Sequence, residues 1–215
     1  MENEFNHEAI KGRRIDRAIE VSADMFLKNG IANVKMTDIA EESGIGVATL
    51  YRYFGTKTSI TVASMTYLWN KMKDMFSGIF ESDVFLSQKG IKQINDLMRM
   101  FIVLYQAHPA FMKLLSEFDL FLMKENIPKD ELREYDRSVI NFYPIFEKAY
   151  TAGLADGTVR EVKDVKLFYL SYAHALLEMC KKLTQGELLP SDNFSFAEYE
   201  LETIIETGVN YLRKD

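Results

Sequence analysis

The sequence contains little of what catalysis, disulfide formation or membrane insertion requires. Cys180 is the single cysteine among 215 residues, so no disulfide can form within the chain. Only three histidines are present, and there is no Gly-rich phosphate loop, no His-Glu-x-x-His and no Gly-x-Ser-x-Gly. No apolar run reaches the ~18–20 residues that a membrane span needs. We therefore expect a protein that is not an enzyme and that uses no metal ion or cofactor.

The start of the sequence, MENEFNHEAIKGRR, carries acids and lacks an apolar core, so it does not resemble a secretory signal. Together with the lone cysteine, for which a buried structural thiol is expected, this favours a cytoplasmic location. The hydrophobic content of 47% and charged content of 27% are ordinary for a globular protein that buries a core.

The formal net charge of −6 is unevenly distributed. Residues 10–60 contain eight bases and six acids, which gives +2 and leaves −8 on the remainder. This asymmetry suits a small DNA-facing segment attached to an acidic body. A chance fluctuation explains +2 over fifty residues equally well, so charge alone does not decide between the two.

The hydrophobic pattern predicts an all-α protein of about nine helices and no convincing strand. The predicted helices span residues 12–29, 37–43, 47–54, 56–80, 90–108, 109–125, 128–152, 164–185 and 196–213. Residues 1–9 lack periodicity and predict a frayed arm. Pro144 predicts a kink in the helix over 128–152.

The stretch from Lys35 to Lys57, KMTDIAEESGIGVATLYRYFGTK, predicts a helix-turn-helix. Two short helices joined by a tight turn with glycine form this DNA-binding motif, whose second helix enters the major groove. Ala40 is small enough to let the helices cross closely, and Gly44 permits a positive φ at the turn. Three apolar side chains are expected to fill the wedge between the helices: Ile39, Ile45 and Leu50.

This stretch resembles the TetR family of transcriptional regulators, whose motif runs roughly D-I-A-x-x-x-G-V-x-x-x-T-L-Y-x-Y-F-x-x-K. The matching residues are Asp38, Ile39, Ala40, Gly44, Thr49, Leu50, Tyr51, Tyr53, Phe54 and Lys57. Phe26 and Gly30 also fit the end of the family's first helix. The motif covers about residues 10 to 65. The resemblance implies a helix-turn-helix DNA-binding domain over residues 1–57 and a ligand-binding and dimerisation domain over 58–215.

The resemblance also implies which residues contact DNA: Thr37, Val47, Ala48, Thr49, Tyr51, Arg52, Tyr53 and Lys57. An arginine such as Arg52 can donate two parallel hydrogen bonds to guanine, and small apolar groups can touch a thymine methyl. The positions of Tyr53 and Lys57 usually reach phosphates in the family, which sets orientation. Packing remains an alternative for Tyr51, and a solvated surface position remains one for Arg52.

Two positions depart from the family pattern, and the role of three arginines in the first helix stays open. Lys35 stands where relatives commonly have a Ser or Thr N-cap, and Gly46 stands where they often have a polar residue. Near the start of the chain, three arginines either approach phosphate from the first helix or form a plain solvated face: Arg13, Arg14 and Arg17.

Residues 60–180 are rich in methionine and aromatic residues. In the family this region encloses a small-molecule cavity, and such side chains make an adaptable apolar lining. The candidate pocket residues are Trp69, Tyr105, His108, Tyr143 and His174. The same composition at helical spacing is also typical of an ordinary core.

The resemblance therefore implies a repressor that binds a palindromic operator as a homodimer. The dimer would form through the last two helices, and an unknown, largely apolar small-molecule effector would release the DNA. Two alternatives stay open: a helical regulator without a small-molecule effector, and a helical protein-interaction adaptor.

Overall fold

The computed structural model describes the backbone of residues 2–214 and the side chains of residues 8–214. Over this range the chain is all-α, with eleven α-helices and one isolated bridge between Val159 and Arg213. The helices are α1 (Glu2–Asn29), α2 (Met36–Ser43), α3 (Val47–Phe54), α4 (Lys57–Phe80), α5 (Asp83–Leu86), α6 (Gly90–Ala107), α7 (Pro109–Glu125), α8 (Arg133–Ser138), α9 (Tyr143–Ala155), α10 (Val165–Thr184) and α11 (Ala197–Leu212). Two 3-10 helices, Lys129–Leu132 and Phe194–Phe196, complete the set. The all-α prediction is confirmed, with eleven helices in place of about nine.

Two compact units divide the chain. Unit 1 comprises Met1–Asp74 and Ser116–Ile140, and unit 2 comprises Met75–Leu115 and Asn141–Asp215. The functional boundary after Lys57 does not coincide with a boundary of these units, because most of α4 belongs to unit 1. That functional division stays a prediction. None of the helices within the described range is both long and apolar enough to cross a membrane.

The helix α1 begins at Glu2, so the prediction of a frayed arm over residues 1–9 is wrong for the backbone that the structure describes. No residue between Glu2 and Lys11 breaks a helix. Gly12 costs only about 1 kcal/mol relative to alanine in a helix interior. The helix that is buried from Ala18 onward therefore continues back toward the N-terminus.

The prediction of a single helix over residues 128–152 is also wrong. The structure has a 3-10 turn, then α8, and a new helix α9 that begins at Tyr143. Pro144 has no N–H to donate, and its ring clashes with the carbonyl four residues earlier, so it ends a helix instead of kinking it. It lies in the first turn of α9, where proline is tolerated. The side chain of Asn141 accepts a hydrogen bond from the backbone N–H of Tyr143 at 3.0 Å.

Unit 2 is built around α6, which packs against α9, α10 and α11. The α6 and α9 backbones approach most closely where Gly90 meets Gly153, and a Cβ on Gly90 would overlap the backbone of Gly153. Asp156 fixes this junction, because its Oδ2 accepts a hydrogen bond from the backbone N–H of Gly90 at 2.8 Å. Hydrogen bonds from Thr158 and from Gly90 lower the pKa of Asp156.

Helix α10 confirms two further expectations, its start near residue 164 and its buried cysteine. Asp164 caps the helix, since its Oδ1 accepts a hydrogen bond from the backbone N–H of Leu167 at 2.8 Å. Cys180 is fully buried. Burial raises the pKa of its thiol to about 12, which makes it a structural residue and not a nucleophile.

Candidate functional site

The helix-turn-helix of unit 1 has the predicted geometry. The helices α2 and α3 are joined at Gly44, which has a φ of +69° and donates its backbone N–H to α2 carbonyls. The wedge residues Ile39 and Leu50 are fully buried, and Ile45 is nearly so. Burying these three side chains fixes the angle between the helices, and therefore the face that α3 presents to solvent.

The N-terminus of α2 is capped without a Ser or Thr. The Lys35 ammonium has no acceptor for a backbone N–H. Instead, Oδ2 of Asp38, in the first turn, accepts a hydrogen bond from the backbone N–H of Lys35 at 2.9 Å. A carboxylate in the first turn also suits the positive end of the helix dipole. The departure at Lys35 therefore leaves the helix start intact.

The exposed face of α3 carries four of the eight residues that the resemblance assigns to DNA. Val47 is 40% exposed and Tyr51, one turn later, is 48% exposed. Ala48 and Arg52 form a parallel exposed row, since residues four apart lie on one side of a helix. The Arg52 guanidinium lies 5.7 Å from the centroid of the Tyr53 ring. Thr37 on α2 is exposed, whereas Thr49 and Tyr53 are half-buried.

The Lys57 ammonium already has a hydrogen-bond partner within the protein. Nζ donates a hydrogen bond to the carbonyl oxygen of Ile31 at 2.6 Å. Desolvation by burial lowers the pKa of this half-buried lysine. The ammonium carries three donors, so a phosphate contact remains compatible with this bond. Replacing Lys57 would nevertheless disturb the loop between α1 and α2 as well as any DNA contact.

Glu117 on α7 is hydrogen-bonded to the backbone of the same residue, Ile31. The sequence pattern does not indicate this contact. Oε2 of Glu117 accepts a hydrogen bond from the backbone N–H of Ile31 at 3.0 Å. The preceding Gly30 adopts a φ of +78° and lies directly against the Glu117 carboxylate. Glu117 and Ile31 are 86 positions apart in sequence, so no local signal could have found the contact.

The first helix also forms a hydrogen bond with the helix-turn-helix. Arg17 donates from Nε to the carbonyl oxygen of Ser43 at the end of α2, at 3.0 Å. A cation at this helix end also complements the negative end of the dipole. Arg13 and Arg14 are exposed. Of the three arginines considered from the sequence, Arg17 therefore has a structural role within unit 1.

Comparison with known proteins agrees with this geometry. The sequence model described as "Bacterial regulatory proteins, tetR family" matches residues 18–63, which include the second half of α1 and the whole helix-turn-helix. The helix-turn-helix segment of this chain is thus similar to that of the TetR family.

Two curated relatives are similar to parts of this chain. The uncharacterized HTH-type transcriptional regulator YerO of Bacillus subtilis (strain 168) is 24% identical over 183 residues, which are 80% of this chain and 57% of that protein. The HTH-type transcriptional regulator SAB2452 of Staphylococcus aureus (strain bovine RF122 / ET3-1) is 40% identical over 53 residues, which are 25% of this chain and 28% of that protein. The matches thus span 57% and 28% of the lengths of these relatives.

A solved structure shares the fold over nearly the whole chain. The crystal structure of AibR in complex with isovaleryl coenzyme A and operator DNA aligns with a TM-score of 0.57 and 18% identity. The alignment covers 93% of this chain and 97% of that one. At this level of identity the similarity shows the fold.

The five candidate pocket residues are divided between the two units. Trp69 is buried in unit 1 and donates from Nε1 to the hydroxyl of Tyr135 at 3.2 Å. The other four belong to unit 2. Tyr105 and His108 are half-buried near the end of α6, and the carbonyl oxygen of His108 accepts hydrogen bonds from the first turn of α7.

Tyr143 and His174 line neither the aromatic pocket nor the groove that the structure shows in unit 2. The Tyr143 hydroxyl donates to Oε1 of Glu147 at 2.7 Å, and His174 is exposed on α10. A pocket in the apolar interior of unit 2 is lined by aromatic rings and has only about 10 Å³ of space, barely enough for a water molecule. Its lining includes Phe101, Phe142, Phe146, Phe168, Tyr169 and Tyr172.

A larger space in unit 2 is an apolar groove of about 320 Å³ formed by α4, α5 and α6. Small-molecule sites begin at about this volume. Asp96 and Arg99 line it at one side, and Arg99 pairs with Glu202 of α11 at 2.6 Å. Its apolar lining includes Phe76, Ile79, Phe80, Phe85, Met100 and Val103. This groove could not be foreseen from the sequence, because α5 is a four-residue helix without a periodic pattern.

Proposed function

We propose that this chain is a transcriptional repressor that binds a palindromic DNA operator as a homodimer and is released by a small, largely apolar effector. Such a regulator would act in the cytoplasm, where the DNA is. The observation that carries the DNA-binding part is the exposed face of α3, set on a buried wedge. An eight-residue helix that exposes Val47, Ala48 and Tyr51 beside one cation, Arg52, fits the major groove.

The proposed contacts divide by chemistry. Arg52 reads guanine through paired hydrogen bonds, while Val47 and Ala48 touch thymine methyl groups. Tyr51 and Thr49 complete this surface. The remaining three residues contact phosphates and set the orientation of the helix: Thr37, Tyr53 and Lys57. The proposed DNA contacts are therefore those implied by the sequence, with Lys57 also bonded within the protein.

Exposed apolar side chains on the last two helices support the dimer. Leu167 on α10 is 61% exposed and Tyr199 on α11 is 67% exposed. Phe196, just before α11, and Tyr211, near its end, are exposed as well. A helix pair of this kind can pack against its copy as a four-helix bundle. Two α3 helices would then lie about 34 Å apart, or a multiple of it, on a palindromic duplex.

Replacing Arg52 by alanine tests the DNA-binding proposal. Wild-type protein should select a defined duplex from a random-sequence library, and Arg52→Ala should lose the preference for guanine at one position of each half-site. The expected loss is about 1–3 kcal/mol of discrimination at that base pair. The measurement is a repeated selection combined with binding titrations on single-base variants of the duplex.

Arg137→Ala is the matched control, because Arg137 is exposed on α8, outside the helix-turn-helix. It should leave the selected sequence unchanged. If Arg52→Ala selects the same duplex as the wild type, the assignment of base readout to Arg52 is wrong. Failure of the wild type to select any duplex would contradict the regulator as a whole.

We place the effector in the groove between α4, α5 and α6, because its volume of about 320 Å³ can hold a small molecule, whereas the aromatic pocket has only about 10 Å³. AibR was solved with both isovaleryl coenzyme A and operator DNA, and its shared fold supports a regulator that also binds a small molecule. A ligand releases DNA only if it binds the DNA-free state more tightly. The apolar lining predicts an effector with an aromatic or branched aliphatic body.

Filling the groove tests the effector site. A panel of aromatic and branched-chain alcohols and carboxylic acids is titrated into the protein bound to its selected duplex. A groove-binding compound should weaken duplex binding by about 5–150-fold. Val103→Trp, at the 45% exposed groove position, should abolish that response and retain duplex affinity. Leu120→Trp, at an exposed site outside the groove, should respond normally. An unchanged duplex affinity with the groove occupied would contradict release.

A further inference from the structure

Residues 8–14 of α1 form a solvent-exposed surface beside α3. Every side chain in this range is exposed except the half-buried Gly12, and Ala18 is the first buried side chain among those that the structure describes. This part of the helix therefore contributes almost nothing to the core. Its position matters because α1 and α3 together enclose a groove of about 500 Å³.

Three cations line this groove. Lys11 and Arg14 come from α1, and Arg52 comes from α3. Residues three apart lie on the same side of a helix, so Lys11 and Arg14 form a short basic row that faces the groove. Tyr53 and Ile10 supply the rest of the wall, and Glu8 contributes one opposing carboxylate. The groove therefore carries an excess of positive charge.

The other basic residues described on α1, which are Arg13, Arg17 and Lys28, do not line this groove. Arg17 is bonded to the carbonyl oxygen of Ser43, and Lys28 lies in the last turn of α1. Lys11 and Arg14 have exposed side chains and no packing function in the core, so an interaction with something outside the chain is the role that their charges suit.

We propose that Lys11 and Arg14 form a second DNA contact, which binds backbone phosphates of the duplex next to the bases read by α3. The inference rests on the proposed function, because Arg52 belongs both to the exposed face of α3 and to the groove. A duplex docked on α3 therefore passes beside the basic row. Lysine and arginine at this spacing neutralise phosphates without reading sequence.

The salt dependence of duplex binding measures these contacts directly. For the duplex that wild-type protein selects, the slope of log K against log salt should fall by about 0.9 for each phosphate that is no longer neutralised. The double variant Lys11→Gln/Arg14→Gln should therefore lower the slope by about 2 per bound protomer. Per protomer, this corresponds to a roughly tenfold smaller loss of affinity between about 50 and 200 mM salt. The selected sequence should stay the same.

Two further variants sharpen the test. Glu8→Gln removes the opposing carboxylate and should strengthen binding severalfold at low salt. The double variant Lys28→Gln/Arg137→Gln removes two exposed cations of unit 1 that do not line the groove, and its slope should match the wild type. Trimming the duplex to the selected bases should weaken wild-type binding and leave Lys11→Gln/Arg14→Gln unaffected.

The outcomes separate this inference from the proposed function. Retention of the wild-type slope by Lys11→Gln/Arg14→Gln would overturn the second contact and leave base reading by α3 intact. A change in the selected sequence would also overturn it, because phosphate contacts carry no sequence information. If the wild type selects no duplex at all, the regulator and the second contact both fall. Equal thermal midpoints of all variants show that folding is unchanged.

Discussion

Gly90→Ala is expected to unfold unit 2 or to lower its free energy of unfolding by more than about 3 kcal/mol, the upper end of the usual cost of overpacking. The added methyl group would overlap the backbone N and Cα of Gly153 and would lie 2.6 Å from the carbonyl oxygen of Ala149. All of these atoms are backbone, so no side chain can rotate away. The two helices would have to separate. Urea denaturation followed by circular dichroism measures the loss.

Gly78→Ala is the matched control for this substitution. Gly78 lies inside α4 in unit 2 and is exposed, and a methyl group added to its Cα would have no atom within 4 Å beyond the adjacent backbone of its own helix. Alanine there should raise the free energy of unfolding by about 0.5–1 kcal/mol, because glycine loses more backbone entropy in a helix. Equal and small effects of the two changes would show that α6 and α9 do not approach as closely as the structure indicates.

Leu50→Ala is expected to lower the free energy of unfolding of unit 1 by about 2–5 kcal/mol and to abolish duplex binding. Leu50 is fully buried between α2 and α3. Its removal leaves a cavity at the point that sets the angle between these helices, so α3 loses its fixed orientation even in molecules that stay folded. Thermal unfolding and a binding titration on the selected duplex measure the two effects separately.

Val47→Ala separates packing from DNA contact on the same helix. Val47 is 40% exposed, so its truncation should leave the free energy of unfolding within about 0.5 kcal/mol of the wild type. A moderate loss of duplex affinity is expected, since a methyl contact to thymine is removed. If Leu50→Ala were to bind the selected duplex with wild-type affinity, the wedge would not control the orientation of α3.

The helix-turn-helix could be predicted from sequence because its determinants are local. The turn at Gly44, the small Ala40 and the apolar wedge all lie between Lys35 and Lys57, and the structure confirms the bounds of α3 and the positive φ at the turn. The cap of α2 shows the limit of this approach. Lys35 lacks an acceptor, yet Asp38 satisfies the backbone from three residues further along.

Long-range features could not be predicted from one sequence. The Glu117 contact with Ile31 and the meeting of Gly90 with Gly153 join residues from distant segments, and each residue alone fits many environments. For the same reason the sequence could not predict the pocket. The candidate pocket residues are amphipathic and several lie near predicted helix ends, but side-chain type does not specify which helices face each other. Trp69 consequently belongs to a different unit from the other four.

The break between α8 and α9 has a different cause. Proline inside an apolar periodic stretch is compatible with either a kink or a new helix start, and the pattern around Pro144 does not distinguish them. In the structure the Asn141 side chain accepts a hydrogen bond from the backbone N–H of Tyr143 and so stabilises a helix beginning. Whether such a segment kinks or begins a new helix depends on which backbone groups form hydrogen bonds.

The burial of Cys180 has a practical consequence for labelling. Because its thiol is fully buried and its pKa is raised to about 12, the reactive thiolate form is scarce at neutral pH. Maleimide reagents should therefore spare it in the folded protein. A cysteine introduced on an exposed surface can carry a fluorophore or spin label without first removing the native one, which makes distance measurements between two copies directly accessible.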